Sequence, residues 1–150
     1  MTTNMKLFSL LFILIAPSWA SAEYSDERFS IKGAPIWVNL IDDAKDGCWT
    51  NIGEVRRYTE DKLAENGALI RKNPENAAMV LNFRVLARRW QVAGWCYGSM
   101  TLSLNVEAFV PNTDFRVNGS IYRKQSIDIE PQNFNITALD WLSKKFKELN

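Results

Sequence analysis

The clearest signal in the chain is an alternation of apolar and polar residues from Ser99 to Ala108. Met100, Leu102, Leu104, Val106 and Ala108 fall on one side, and Ser99, Thr101, Ser103, Asn105 and Glu107 on the other. A period of two over this length predicts a half-buried strand in an antiparallel sheet. The segment before it, Ala78 to Trp90, has the same period. Met79, Leu81, Phe83, Val85 and Ala87 share one face, with Asn82, Arg84 and Arg88 on the other, and Gln91 to Gly94 forms the hairpin turn. Pro111 to Asp114 turns the chain again. Phe115, Val117, Gly119 and Ile121 then begin a further strand that reaches about Ile129. Nearer the amino terminus, Ile36 to Ile41 is a short apolar run rich in β-branched residues and reads as the first strand. Ala68 to Arg71 reads as a short extended piece, followed by a turn at Asn73-Pro74-Glu75-Asn76.

Two segments have the helical period instead. Ile52, Val55, Thr59 and Leu63 form one stripe. Asn51 with Glu54 three positions on is a capping-box pattern, and Gly67 is a stop signal. Residues 51 to 66 are therefore expected as a helix, with Arg56, Arg57, Glu60 and Asp61 mostly outside. After Pro131 a last helix is expected from about Asn133, with Ala138, Leu139, Leu142, Phe146 and Leu149 inward and Lys144, Lys145 and Lys147 near its carboxyl end. Each strand has one apolar face and each helix one apolar stripe. The economical fold is α+β: a two-layer sandwich of order β-α-β-β-β-α. It has a mainly antiparallel sheet, both helices on one face, and a polar second face that meets solvent or a partner.

The amino terminus belongs to a different class. Lys6 precedes an apolar run from Leu7 to Ala16, Pro17 breaks it, and Ala20-Ser21-Ala22 is a small-x-small cleavage pattern. The run falls short of the ~20 apolar residues that spanning requires. Residues 1–22 are expected to be a cleaved signal peptide and 23–150 a single domain, periplasmic or secreted. No Cys directly follows the apolar run, the first being Cys48 far inside the domain, which argues against a lipid-anchored amino terminus.

Charge narrows the partners. The chain has 18 basic residues, Lys6 among them, against 17 acidic ones, so the domain after Ala22 is close to neutral. Nucleic-acid binding wants a basic excess, and neutrality likewise argues against tight attachment to anionic lipid; stable membrane insertion is not expected because nothing after Ala22 looks like a transmembrane helix.

In an oxidising compartment Cys48 and Cys96 read as a disulfide, which on a chain-entropy argument stabilises the fold by up to ~4 kcal/mol. There is no Cys-x-x-Cys and no histidine, so a redox or metal site is not the reading. Asp42-Asp43-Ala44-Lys45-Asp46-Gly47 has a calcium-loop look, but Ala44 stands where a ligand is needed and Gly53 at the twelfth position. It reads as a strand-to-helix loop of turn formers. Ser99, Thr101 and Ser103 lack the histidine that would activate a nucleophile, and the carboxylates are scattered. No catalytic residue, metal or cofactor is assigned. The asparagines of Asn118-Gly119-Ser120 and Asn135-Ile136-Thr137 fit glycosylation sequons, left unused in a chain whose signal has a bacterial look.

Arg and Trp are common binding anchors. Arg84, Arg88 and Arg89 on one strand, with Trp90 and Trp95 at the hairpin, are therefore the expected contact surface. Trp37, Trp49 and Trp141 are expected in or beside the core, with Trp49 packed on the disulfide. The Asp46-Gly47-Cys48-Trp49-Thr50-Asn51 stretch before the first helix, and Trp95-Cys96-Tyr97-Gly98-Ser99 opening a strand, resemble features of small exported proteins. The element order resembles a group of small cell-envelope domains that includes the lipopolysaccharide-assembly lipoprotein and the amino-terminal domain of TolB. The missing lipidation cysteine departs from the lipoprotein members. The expectation is a non-enzymatic accessory protein binding another envelope protein, with a small-ligand or peptide-binding module, such as an inhibitor or immunity protein, as the alternative.

Overall fold

In a computed structural model, residues 30–109, 112 and 116–148 are described, without the side chains of residues 108 and 109. The expected signal peptide, most of the turn after residue 109 and Leu149 lie outside them. The elements are β1 (Pro35–Asp42), α1 (Ile52–Glu65), β2 (Leu69–Arg71), a 3₁₀ turn (Pro74–Asn76), β3 (Met79–Arg89), β4 (Cys96–Phe109), β5 (Arg116–Glu130) and α2 (Asn135–Glu148).

The five strands form one sheet in the order β2-β1-β3-β4-β5. β3, β4 and β5 are an antiparallel meander, the longest run of pairing in the molecule. β1 runs parallel to both β2 and β3. The sheet is therefore mixed, because α1 carries the chain back over the sheet to start β2 in the same direction as β1, as a crossover helix does. The two-layer α+β architecture stands as expected.

The core lies on one face. Ile36 and Val38 from β1, Leu81, Phe83 and Val85 from β3, and Met100, Leu102 and Leu104 from β4 are completely buried. Val55, Thr59 and Leu63 from α1 and Ala138, Leu142 and Phe146 from α2 close over them. Buried Thr59 returns its hydroxyl proton to the Val55 carbonyl at 2.7 Å, so the helix carries no unpaired hydroxyl into the core. Phe83 sits at the centre of the aromatic packing, edge-on to Trp49 at 5.7 Å and stacked on Trp141 at 6.0 Å. Phe134 is also fully buried. It stands just before α2, four residues ahead of Ala138 and thus on the same stripe, although the expected inward set did not include it. Trp49 is buried and Trp141 partly so, but Trp37 lies on the opposite sheet face and is only half-buried.

Two details of α1 differ from expectation. The Asn51–Glu54 pair forms a side-chain hydrogen bond at 3.1 Å but caps no backbone N–H. Asn135 does related work from the other helix: its Oδ1 accepts from the backbone N–H of Thr50 at 2.9 Å. Arg56, expected outside, donates to the Val38 carbonyl at 2.8 Å. The stop at Gly67 is as read. Gly67 takes φ 82°, its N–H binds the Ala64 carbonyl and the Ala68 N–H binds the Leu63 carbonyl, a Schellman pair with Ala68 and Leu63 both buried.

Candidate interaction surface

One corner of the sandwich is densely cross-linked. After β1 the chain stays zipped to β3, with the N–H groups of Asp43 and Lys45 donating to the carbonyls of Val85 and Ala87. Asp46 and Gly47, both at positive φ, then turn it toward the disulfide. Cys48 and Cys96 are bonded, with Cα atoms 5.6 Å apart, tying this loop to the first residue of β4. Phe134 N–H donates to the Cys48 carbonyl at 2.7 Å and brings in the segment before α2.

Arg89 belongs to this corner. It lies on the helix side of the sheet, one residue out of phase with Arg84 and Arg88. Its guanidinium donates to the carbonyls of Asp46, Gly94 and Gln132, one from each of three loops. The planar fork of arginine suits such a task. Arg89 is thus a structural clamp, and the structure separates it from the other two arginines of the expected contact surface. Asp42 and Asp43, which gave the loop its calcium look, are otherwise engaged. Asp42 accepts from the Ala44 N–H, and Asp43 pairs with Arg84.

The clamped corner carries a surface on the sheet face opposite the helices. Strand register places Arg88 beside Tyr97 and Ile129, and Leu86 beside Ser99 and Ile127. Leu86, Tyr97, Ile127 and Ile129 are 46%, 49%, 80% and 65% exposed, which is more apolar surface than a wet sheet face needs. They line an open hollow of about 660 Å³. Trp90 and Trp95, an opposed pair at the hairpin mouth joined by a 2.7 Å backbone hydrogen bond, are both about half exposed and continue the alternation of this face. The face is therefore not uniformly polar, as the alternation suggested. Its hairpin end is apolar with Arg88 embedded, and only its other end is polar.

That polar end is a second shallow hollow, of about 430 Å³, lined by Arg84, Arg123, Thr101, Ser103 and Asn105 among others. Asn82 accepts from the Asn39 amide at 2.9 Å, fixing the β1 side of this face. Both hollows open to solvent.

The apolar end exists because of one irregularity. Val117 and Gly119 pair with Ala108 and Val106, so the start of β5 runs in phase with the buried face. A bulge between Leu104 and Asn105 then shifts the register, leaving Ile121 opposite no residue and pairing Tyr122 with Leu104. One extra residue turns every later side chain over. Ile127 and Ile129 consequently face out, and Tyr122, Lys124, Ser126, Asp128 and Glu130 take the helix side. Their alternation is visible in the sequence, but the bulge that decides their face is not.

No family model and no curated protein sequence matches this chain. Among solved structures it is similar to the PelC dodecamer of Paraburkholderia phytofirmans in two crystal forms, with a TM-score of 0.52 in each. The identities are 16% and 15%, over 81% of this chain and 92% and 90% of those chains. A weaker match, with a TM-score of 0.31 and 14% identity, is lipoprotein GNA1162 of Neisseria meningitidis, over 77% of this chain and 96% of that one. At these identities the PelC likeness is one of fold, and it matches the two-layer sandwich described above.

Proposed function

We propose that the protein is a non-enzymatic accessory factor of the cell envelope, exported by the expected signal peptide, and that it binds another envelope protein through the hairpin end of its open sheet face. The observation that carries this reading is the cluster of Leu86, Tyr97, Ile127 and Ile129 around Arg88, with Trp90 and Trp95 beside it. Aromatic and aliphatic anchors around an arginine are the usual composition of an interface centre. Its Leu86, Arg88 and Tyr97 stand on β3 and β4 beside the disulfide and Arg89, so these side chains are presented without a large ordering cost on binding. The disulfide itself fits an extracytoplasmic location. That a protein of similar fold occurs as a dodecamer supports a role for this fold in assemblies.

The test is site-specific photo-crosslinking in cells, with the reactive side chain placed at Ser99 inside the patch and at Lys72 near the far edge as control. The expected result is one reproducible envelope protein captured from Ser99, absent from Lys72, and lost on Ile129→Asp. Capture of no envelope protein other than the chain itself at Ser99 would overturn the reading.

A further inference from the structure

We infer that the outer edge of β5 is a self-association edge, pairing antiparallel with β5 of a second copy of this chain about a twofold axis at Ser126.

The sheet ends at β5 among the described residues. The opposite end is the short strand β2, whereas β5 is fifteen residues long and has no buried residue. A long edge strand offers a row of unpaired N–H and C=O groups, and proteins usually blunt such edges. The bulge opposite Leu104/Asn105 limits the straight part of this edge to Tyr122–Glu130, whose midpoint is Ser126.

The charges on that stretch select the occupant. On the helix side Lys124 lies before the midpoint, and Asp128 and Glu130 lie after it. Edge charges of one sign would repel a second copy. Here a twofold at Ser126 sets Lys124 of each copy directly opposite Asp128 of the other and diagonal to its Glu130, so the basic half of each strand meets the acidic half of its mate. Only a twofold centred on a residue keeps matched faces together, because directly opposed residues must share a face. Within the chain, Lys124 is 3.8 Å from Glu148 at the end of α2, and Asp128 accepts from the Ser126 hydroxyl. Both side chains are thus already held on the face where the second copy would meet them. On the open face the same axis sets Ile127 opposite Gln125 and brings the two Ile127 side chains to diagonal positions, joining the two apolar hollows across the new seam. The contact is isologous and closes at two copies. Leu86 and Tyr97 stay uncovered, so this pairing and the open-face reading stand or fall separately.

The experiment is sedimentation velocity on the intact, disulfide-bonded protein up to about 0.1 mM, with amide hydrogen exchange read along β5. A concentration-dependent dimer is expected, with protection of Tyr122–Glu130 amides that rises with concentration. K124D and D128K each place like charges opposite at two symmetric positions and should weaken dimerisation about tenfold or more. The double exchange K124D/D128K should restore it to within about threefold of the parent. A protein that stays monomeric at the highest concentration overturns the inference. So does a dimer or larger assembly whose β5 amides are not protected, or one that the two single reversals leave unchanged.

Discussion

The corner around Cys48–Cys96 and the strand β5 are built on opposite terms. At the corner, a disulfide, a three-carbonyl arginine clamp and backbone hydrogen bonds from four segments converge within a few residues. Along β5 no side chain is buried, and the strand is held by its ladder to β4 and by contacts with the end of α2. Residues at the corner and in the core are accounted for by the fold. The isoleucines of β5 are not, since the domain gains nothing by exposing them. The difference separates residues retained for stability from residues that need another explanation.

The sharpest way to break this division is to compare two truncations. Phe83→Ala removes the ring against which Trp49 and Trp141 pack and should cost ~3–5 kcal/mol in denaturant unfolding. Ile127→Ala, 80% exposed, should change stability by no more than ~0.5 kcal/mol. A large loss from Ile127→Ala would mean that β5 belongs to the core after all.

Next in size is the disulfide. Cys48→Ala with Cys96→Ala should lower stability by ~2–4 kcal/mol and leave a folded domain, because β3 and β4 still pair along their whole length. Hydrogen exchange should then speed at the Asp43–Cys48 loop more than along β5. Uniform acceleration would show that the corner and the edge are one cooperative unit rather than two regions of different character.

Arg89 gives a finer test. Arg89→Ala removes the shared donor of three loop carbonyls, the Gly94 one part-buried and the other two exposed, and should cost ~1 kcal/mol. Arg88→Ala, one position away on the other face, should be close to neutral. Equal costs for the two would remove the distinction between a clamp and a surface arginine. Arg89→Lys should recover only part of the loss, since one ammonium cannot reproduce a fork aimed at three acceptors.

What the sequence disclosed follows the same division. The strands, both helices, the Gly67 stop and the Cys48–Cys96 bridge were legible, because each rests on local periodicity, turn chemistry or a two-cysteine count. The parallel placement of β1 between β2 and β3 was not, since nothing local to Ile36–Ile41 states which strand it will join. Arg89 was grouped with Arg84 and Arg88 although strict alternation already set it on the other face. The strand pattern held that signal, and the clustering of arginines obscured it. The apolar patch was missed for a physical reason. Read with a constant period from Val117, Ile127 and Ile129 fall on the buried side. Only the register shift near Ile121 sends them outward, and a bulge is a property of two paired strands rather than of either alone.

The smallest effect concerns a place where β5 is tied to a helix. Tyr122 hydroxyl lies 3.5 Å from a Glu148 carboxylate oxygen, at the end of α2. Partial burial, with the Glu148 charge adding to it, pushes the Tyr122 phenol up to about 12 from its ordinary 10.0. The native state therefore holds this proton more tightly than the unfolded chain does. The resulting stability is complete below pH 10.0 and is lost as the pH rises from there through about 12. Lys62, on α1, is also raised, by its hydrogen bond to Glu65, and weakens the fold in the same direction. The alkaline slope of the parent alone is thus not diagnostic. The difference between the parent and Tyr122→Phe is. Phe keeps the ring over which Lys124 lies and removes only the titrating hydroxyl. Urea midpoints measured across the alkaline range should fall less steeply for Tyr122→Phe than for the parent, with the gap opening above pH 10.0. Parallel curves would mean that the phenol titrates as in solvent, and that β5 is held at α2 by the Lys124–Glu148 pair without help from this hydroxyl.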